Sequence, residues 1–477
     1  MKNSTANWKR LLLPLPLLLG VLGLTMAGQK PTDALFHSLQ MYLIGYGEAA
    51  PNAVADLARW TAPLATAGGV LLLISNLSRK LSAAWKLRTT DSVAVYGPED
   101  VKKKVLRELG KRGVDGGETF LKAKRYLLLG SQTENFTFWS DHAQQLLNAE
   151  VYLRCDTLPG QSVSAANLHL FQPTELAARL FWKQAKLYPR SCEMGHRMTI
   201  AMVGCGALGD ALLYWGLQNN IFDPRQQITY RVFGESETFP QLYPQLKHIT
   251  DPLELYPDGW KSRLPLLDSA DLILVLPSEG QEATVSRLLT LLPGKTLDVL
   301  TESPMLLHML DGHERLRIFD LPRETLNAER IMGDLLLSAA KKLNLRYAHL
   351  YSGVTESEEH EREEWAKLDA FTRYSNISSA DYHEIRLQML AAMGTGSDGA
   401  GLSAEQREVL AELEHIRWCR CHWLNNWRYG VPENGKAKDA KRRIHADLIP
   451  YAELSEREKQ KDRDTVNVML QGAAANT

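Results

Sequence analysis

The 477-residue chain has no C-x-x-C pair, and its five cysteines (Cys155, Cys192, Cys205, Cys419, Cys421) are scattered and odd in number. That pattern excludes a disulfide framework and points to a reducing compartment for the bulk of the chain. Net charge is also missing: 55 Lys and Arg stand against 56 Asp and Glu. No global basic field recruits nucleic acid, so no nucleic-acid partner is expected, and there is no acidic tail. Spacing marks no His, Lys or Tyr as a catalytic acid, base or nucleophile, so no catalytic residue is assigned and an enzyme is the less favoured class. The length is more than one hydrophobic core usually serves, which argues for two to four domains.

Two long apolar runs stand out against this soluble composition. WKRLLLPLPLLLGVLGLTMAG (8–28) follows Lys9 and Arg10 into a nearly unbroken apolar stretch, and WTAPLATAGGVLLLISNL (60–77) precedes Arg79, Lys80, Lys86 and Arg88. Each has the length expected of a transmembrane helix in contact with lipid. The basic flanks predict both termini in the cytoplasm, with the protein in a bacterial inner (cytoplasmic) membrane. A cleavable signal peptide is the alternative for the first run.

Between the runs lies DALFHSLQMYLIGYGE (33–48). Two helices joined by such a loop resemble a two-helix potassium channel subunit. The resemblance implies a re-entrant pore helix over DALFHSLQMYL and a selectivity filter of Leu43, Ile44, Gly45, Tyr46 and Gly47. It further implies K+ as the permeant ion and a homo-oligomer, four-fold if a channel. Glycines suit a filter because successive carbonyls must turn toward one axis. Leu43 stands where the family carries Thr, and the segment is about one residue short. The alternatives are a pore of altered selectivity and a non-conducting interfacial hairpin anchored by Tyr42 and Tyr46.

Beyond residue 88 the pattern alternates strand and helix. SVAVYG (92–97), RYLLLGS (125–131) and EVYLRCD (150–156), with helices between them, predict a β-α-β-α-β unit over 89–190. A second unit, 191–350, holds RMTIAMVGCGALGDALLYWGLQNN (197–220), ITYRVFGES (228–236) and ADLILVLPSEG (270–280). Its Gly204-x-Gly206-x-x-Gly209 lies in the strand-turn-helix setting of the dinucleotide fingerprint, and Glu235 is placed to hold ribose hydroxyls. NAD(H) or another adenine nucleotide is the expected cofactor. The matching turn of the first unit, Gly97-Pro98-Glu99-Asp100, carries two acids and a proline that disfavour phosphate. Tandem Rossmann-like units over roughly 90–345 resemble the TrkA-type (RCK-like) regulators of potassium conductance, which implies nucleotide or ion binding that moves a gate.

An acidic linker and helical segment spans 351–403. The last segment, 404–477, carries Glu414-His415-x-Arg417-Trp418, Trp427-x-Tyr429-Gly430, Ile444-His445-x-Asp447-Leu448-Ile449-Pro450 and Lys459-x-Lys461-Asp462-Arg463-Asp464. These motifs are similar in order and spacing to the RyR domain, the ryanodine receptor repeat, with Ser375-Asn376 and Ala380-Asp381 resembling what precedes it in bacterial relatives. A ligand pocket of Arg417, Trp418, Trp427, Tyr429, His445, Lys459, Asp462 and Arg463 is expected to stack a base and pair its phosphates. The bland alternative makes the tryptophans core and Glu414, Arg417, Lys459, Arg463 and Asp464 ordinary helix-surface ion pairs. Cys419, Cys421, His415 and His422 do not converge on one helix as zinc ligands do, so no metal is expected.

The combined expectation is a multi-domain chain: two transmembrane helices with a pore-like loop, tandem α/β Rossmann-like domains and a mainly α-helical RyR domain. Its function would be that of a ligand-gated, ion channel-like protein sensing a nucleotide or nucleotide-derived second messenger. Stress or antiphage signalling enters by analogy alone. The alternatives are a non-conducting tethered nucleotide sensor and a membrane-anchored NAD(P)-dependent enzyme.

Overall fold

The structure, a computed structural model, describes residues 14–67, 85, 87, 92–117, 119–156, 167–236, 238–309, 312–332, 335–433 and 435–474. These fall into two compact units, a helical one ending at Ser92 and a larger one from Val93 onward, with Thr119–Ala123 belonging to the first.

The first unit is a cluster of short helices. Helix α1 (Leu15–Met26) follows Pro14, has Pro16 in its first turn, and ends at Ala27 before Gly28 turns the chain at φ 90°. Its 12 residues reach about 18 Å at the helical rise of about 1.5 Å per residue, well short of the roughly 30 Å hydrocarbon core of a bilayer. Helix α2 (Pro31–Tyr42) is equally short, and helix α3 (53–67) carries Asp56 and Arg59. No helix among the described residues is long and apolar enough to cross a membrane. The expected pair of transmembrane helices, and the channel reading built on them, are therefore corrected. Within the described part of the first apolar run, the helix starts after Pro14 and ends at the Ala27-Gly28 turn. Residues 8–13 and 68–77 of the two expected spans lie outside the described residues. The helices touch through small residues: a Cβ on Gly20 would sit 2.6 Å from Ser38 Oγ, and one on Gly23 would sit 2.5 Å from Ala55 N.

The filter-like LIGYGE is the C-terminal cap of α2. Gly45 N–H donates to Gln40 O (2.9 Å) and Ile44 N–H to Met41 O (3.3 Å), with Ile44 at φ 60°. That is the pair of bonds of a Schellman motif, with isoleucine in the left-handed position where glycine is usual. Leu43 and Ile44 are 81% and 82% exposed, whereas Tyr46 is buried against the His37 ring at 5.8 Å. Backbone carbonyl groups of α2 are thus consumed in ending a helix.

The second unit opens with strands β1 (Val93–Tyr96), β2 (Gly113–Asp115), β3 (Arg125–Leu128), β4 (Glu150–Arg154) and β5 (Leu168–Phe171). They form an all-parallel sheet in the order β2-β1-β3-β4-β5, with helices α4 (Glu99–Leu109) and α5 (Gln132–Asp141) between strands. This is the flavodoxin-like doubly wound order, so the first half differs in topology from the second. Helix α6 (Pro173–Ala185) leaves this sheet and packs on the next domain.

That domain runs β6 (Arg197–Val203), α7 (Gly206–Asn219), β7 (Gln227–Phe233), β8 (Leu253–Tyr256), β9 (Leu272–Val275), β10 (Leu297–Thr301) and β11 (Leu316–Asp320). Its parallel order, β11-β10-β9-β6-β7-β8, is that of the dinucleotide-binding Rossmann fold, whose order reverses between the first and fourth strands, here β6 and β9. Central strands such as LILV are buried throughout because helices cover both faces.

Helices α8 (Leu335–Ser352), α9 (Glu358–Lys367), α10 (Ala370–Ala392), α11 (Ala404–Leu424) and α12 (Glu456–Ala474) complete the unit. No residue of the acidic α9 is fully buried, and it meets the core through the partly buried Trp365. The start of α10 is capped by Asp369 and that of α11 by a Ser403–Gln406 capping box. Leu180 of α6, Leu213 of α7, Ile385 of α10, Leu410 of α11 and Met469 of α12 belong to one continuous apolar core. Buried charge pairs cross it. Asp381 on α10 accepts from Arg179 Nε (2.6 Å) and lies 3.2 Å from Lys183 Nζ, both on α6. Arg420 on α11 reaches Asp251 (2.6 Å) and the Leu217 carbonyl of α7 (2.9 Å).

Removing one member of such a buried pair strands the other charge, at a cost of about 3–5 kcal/mol. Asp381→Ala is expected to lower the unfolding free energy in urea by that amount. Glu364→Ala, which frees only the exposed Lys367, is expected to cost under about 1 kcal/mol. Equal effects of the two would show that the interdomain pairs do not hold the helices in place.

Candidate functional site

The glycine turn takes the shape its sequence predicts. Gly204 (φ 96°) and Gly206 (φ 71°) make the turn between β6 and α7, and a Cβ on Gly209 would lie 3.1 Å from Cys205 Sγ and 3.3 Å from Leu276 Cδ1. The third glycine is therefore explained by helix-strand packing, while a Cβ on Gly206 would meet nothing within 4 Å. Glu235 is exposed just past the end of β7, on the ribose side of a Rossmann turn. One feature opposes a pyrophosphate there: the Asp210 carboxylate reaches back to Cys205 Sγ at 3.7 Å, placing negative charge beside the turn.

A second site lies among α8, α10, α11 and α12. It is a cavity of about 450 Å³ walled by Tyr347 and Tyr351 of α8, Ser375 and Ser379 of α10, Glu414, His415, Arg417 and Trp418 of α11, and Lys461 and Asp462 of α12. At its base the Glu414 carboxylate is held by Arg386, by Arg417 (2.7 and 3.0 Å) and by Ser379 Oγ (3.3 Å). Burial opposes its charge, but the two guanidinium groups keep its pKa below the ordinary value. Arg417 also donates to Ser378 Oγ at 2.9 Å.

His415 has an acceptor at each ring nitrogen: Asp462 Oδ2 lies 3.2 Å from Nδ1, and the Ile449 carbonyl lies 2.8 Å from Nε2. Only the imidazolium donates to both. Burial disfavours that cation, yet the hydrogen bonds and charges of Asp462 and Cys419 together outweigh it and lift His415 to about 11. Asp462 is itself raised by burial, with His415 pulling it down. The pair is ionised, because the ring meets an acceptor at each nitrogen. His445 is the opposite case: burial, then Lys438 and Lys461, push it down to about 4, and its Nδ1 accepts the Asp447 N–H at 3.1 Å. Trp418 sits between these rings, 5.7 Å from His415 and edge-on to His445 at 4.8 Å.

Cys419 Sγ lies 3.4 Å from His415 Nε2, so Cys419, His415 and Asp462 line up like a nucleophile, base and orienting acid. The thiol is buried at 3% exposure, burial raises its pKa, and it is absent from the cavity wall. Attack on a ligand in the cavity is not available to it.

By comparison with known protein families, residues 402–476 match the RyR domain. No curated protein and no solved structure matches the chain. The match supports the C-terminal resemblance, and it carries nothing for the potassium-channel or TrkA-type resemblances upstream.

Within the RyR domain, four of the eight expected pocket residues meet at the cavity: Arg417, Trp418, His445 and Asp462. Four lie elsewhere. Trp427 is buried against Phe371 at 4.9 Å, and Tyr429 is exposed on the two-residue strand β12 (Arg428–Tyr429). Lys459 lies 3.4 Å from Glu456 and over the Tyr451 ring, and Arg463 forks onto Glu408 through two 2.8 Å bonds. The zinc-like quartet disperses: His415 turns to Asp462, while His422 Nδ1 lies 2.8 Å from the Trp418 carbonyl. Tyr347 and Tyr351 were not anticipated, since α8 lies well upstream of the RyR motifs. Their i, i+4 spacing is the one local signal that both face the same way.

Folding raises His415 above its ordinary value of about 6.5, so its stabilisation is complete below that pH and is lost as pH climbs toward 11. The melting temperature is expected to fall from pH 7 to pH 10, and Asp462→Asn to start lower and fall less steeply. Parallel profiles for the two proteins would refute the charged pair.

Proposed function

We propose that the cavity at the RyR domain is the receptor site for a nucleotide or nucleotide-derived messenger, and that this protein is a ligand sensor. The observation that carries the reading is the convergence of Trp418, Tyr347 and Tyr351 on one cavity rimmed by hydrogen-bonding groups. Flat aromatic faces with a few fixed polar groups suit a nucleobase. The walls of the cavity are also the helices tied to the Rossmann sheet. Glu414 and Arg417 line it, and Arg420, one turn on, grips Asp251 and the end of α7. A ligand with different affinity for two packings of α10 and α11 would therefore bias the α/β domain, and ligands of that domain would bias the cavity in return. The glycine turn is the second candidate receptor, favoured by its position where the strand order reverses and opposed by Asp210.

The test is calorimetric titration of the purified protein with a panel of adenine nucleotides and cyclic dinucleotides. Losing a stacking face costs about 1–3 kcal/mol, so Tyr351→Ala should weaken the bound ligand roughly tenfold or more. Gly206→Val should leave that affinity unchanged. An affinity that ignores Tyr351→Ala but collapses in Gly206→Val would move the sensor to the Rossmann turn, and no binding from the whole panel would end the nucleotide reading.

A further inference from the structure

A larger cleft of about 830 Å³ lies between α7 of the Rossmann domain and the small sheet of the RyR domain, separate from the cavity above. One wall is aromatic. Tyr214 meets Tyr243 at 5.5 Å and Tyr374 at 5.8 Å, and Asn425 Nδ2 holds the Tyr214 hydroxyl at 2.8 Å. Asp210 lines the cleft, half-buried, and among the described residues its carboxylate is touched by nothing stronger than the Cys205 thiol. Burial raises its pKa, as expected of an acid that lacks a good donor. Of the other carboxylates of the lining, Asp156 accepts from Arg154 Nε at 3.1 Å and Asp369 caps α10 through Thr372 N at 2.7 Å, while Glu175 stands 3.9 Å from Arg179 with its pKa also raised by burial.

The part of the lining that the small sheet contributes is cationic. Lys438 and Lys441, from strand β13 (Lys438–Asp439) and the turn after it, are exposed and have no carboxylate partner among the described residues. The adjacent Asp439 is spent accepting the backbone N–H groups of Lys441 (3.0 Å) and Arg442 (3.1 Å). The cleft thus brings together a carboxylate wanting a donor, an aromatic wall of mutually tilted rings, and two ammonium groups with no carboxylate partner among the described residues.

We propose that this cleft binds a nucleoside monophosphate, with base N–H groups on Asp210, the ring against Tyr214 and Tyr243, and the phosphate on Lys438 and Lys441. Such a ligand would touch the Rossmann helix and the RyR sheet together. A sugar phosphate without a base would leave the aromatic wall bare, and a nucleoside without phosphate would leave the lysines unused.

The experiment is calorimetric titration of the full chain in the Tyr351→Ala background, which removes a stacking face from the other cavity and so separates the two proposals. GMP and AMP are the probes, with guanosine and adenosine as phosphate-free controls. At least one monophosphate is expected to bind, its nucleoside about tenfold more weakly, and Lys438→Glu with Lys441→Glu to weaken the monophosphate about tenfold or more. Asp210→Asn, an isosteric change at a half-buried site, should weaken it while leaving the circular dichroism spectrum unchanged. Absence of binding up to about 1 mM, equal binding of nucleoside and monophosphate, or an affinity unmoved by the lysine reversals would each overturn the proposal.

Discussion

Three buried carboxylates organise the C-terminal half of this protein. Asp381 fastens α10 to α6, Asp251 fastens α11 to the sheet, and Glu414 joins α11 to α10 through Arg386 and Ser379. Such pairs add little net stability, because desolvation nearly cancels their attraction, but a misaligned arrangement would leave a bare charge in an apolar core. Their effect is to select one packing of the helices among several that apolar contacts alone would tolerate. The cavity at the RyR domain exists because that packing leaves a space between α8 and α12 above the Glu414 cluster.

The charges of that cavity are largely satisfied internally. Glu414 has its guanidinium groups, Lys461 its Glu458, and His415 its Asp462. What is left for a ligand is mostly ring surface and neutral hydrogen-bonding groups. Phosphate recognition, which Lys459 and Arg463 were expected to supply, is weakened here because both cations face carboxylates on or beside their own helix.

Local rules made part of this architecture legible. Gly204, Gly206 and Gly209 announce the turn because only backbone geometry and helix-strand contact are involved, and both are fixed within a few residues. The RyR motifs are dense enough to identify their domain, and Ser403 with Gln406 marks the start of its first helix. Other features depend on distant partners. LELY (253–256) and LRIFD (316–320) are short and partly polar, and they become strands only beside β7 and β10. The difference in strand order between the two sheets has no local signature at all. LIGYGE misled because glycine after an amphipathic helix serves helix termination as readily as carbonyl display. The apolar run 8–28 misled because hydropathy counts leucines and does not see that, among the described residues, the helix begins only after Pro14 and is ended at Gly28.

The shared core has a practical corollary for dissecting the molecule. The RyR segment is a unit of sequence, but it is not a detachable part. A cut before Leu402 would remove Arg420 from Asp251 and Glu414 from Arg386, leaving an anion and a cation facing the newly bared surface of α7 and α10. The shortened chain would be a differently folded object, and a phenotype seen in it would report on lost packing as much as on lost sensing.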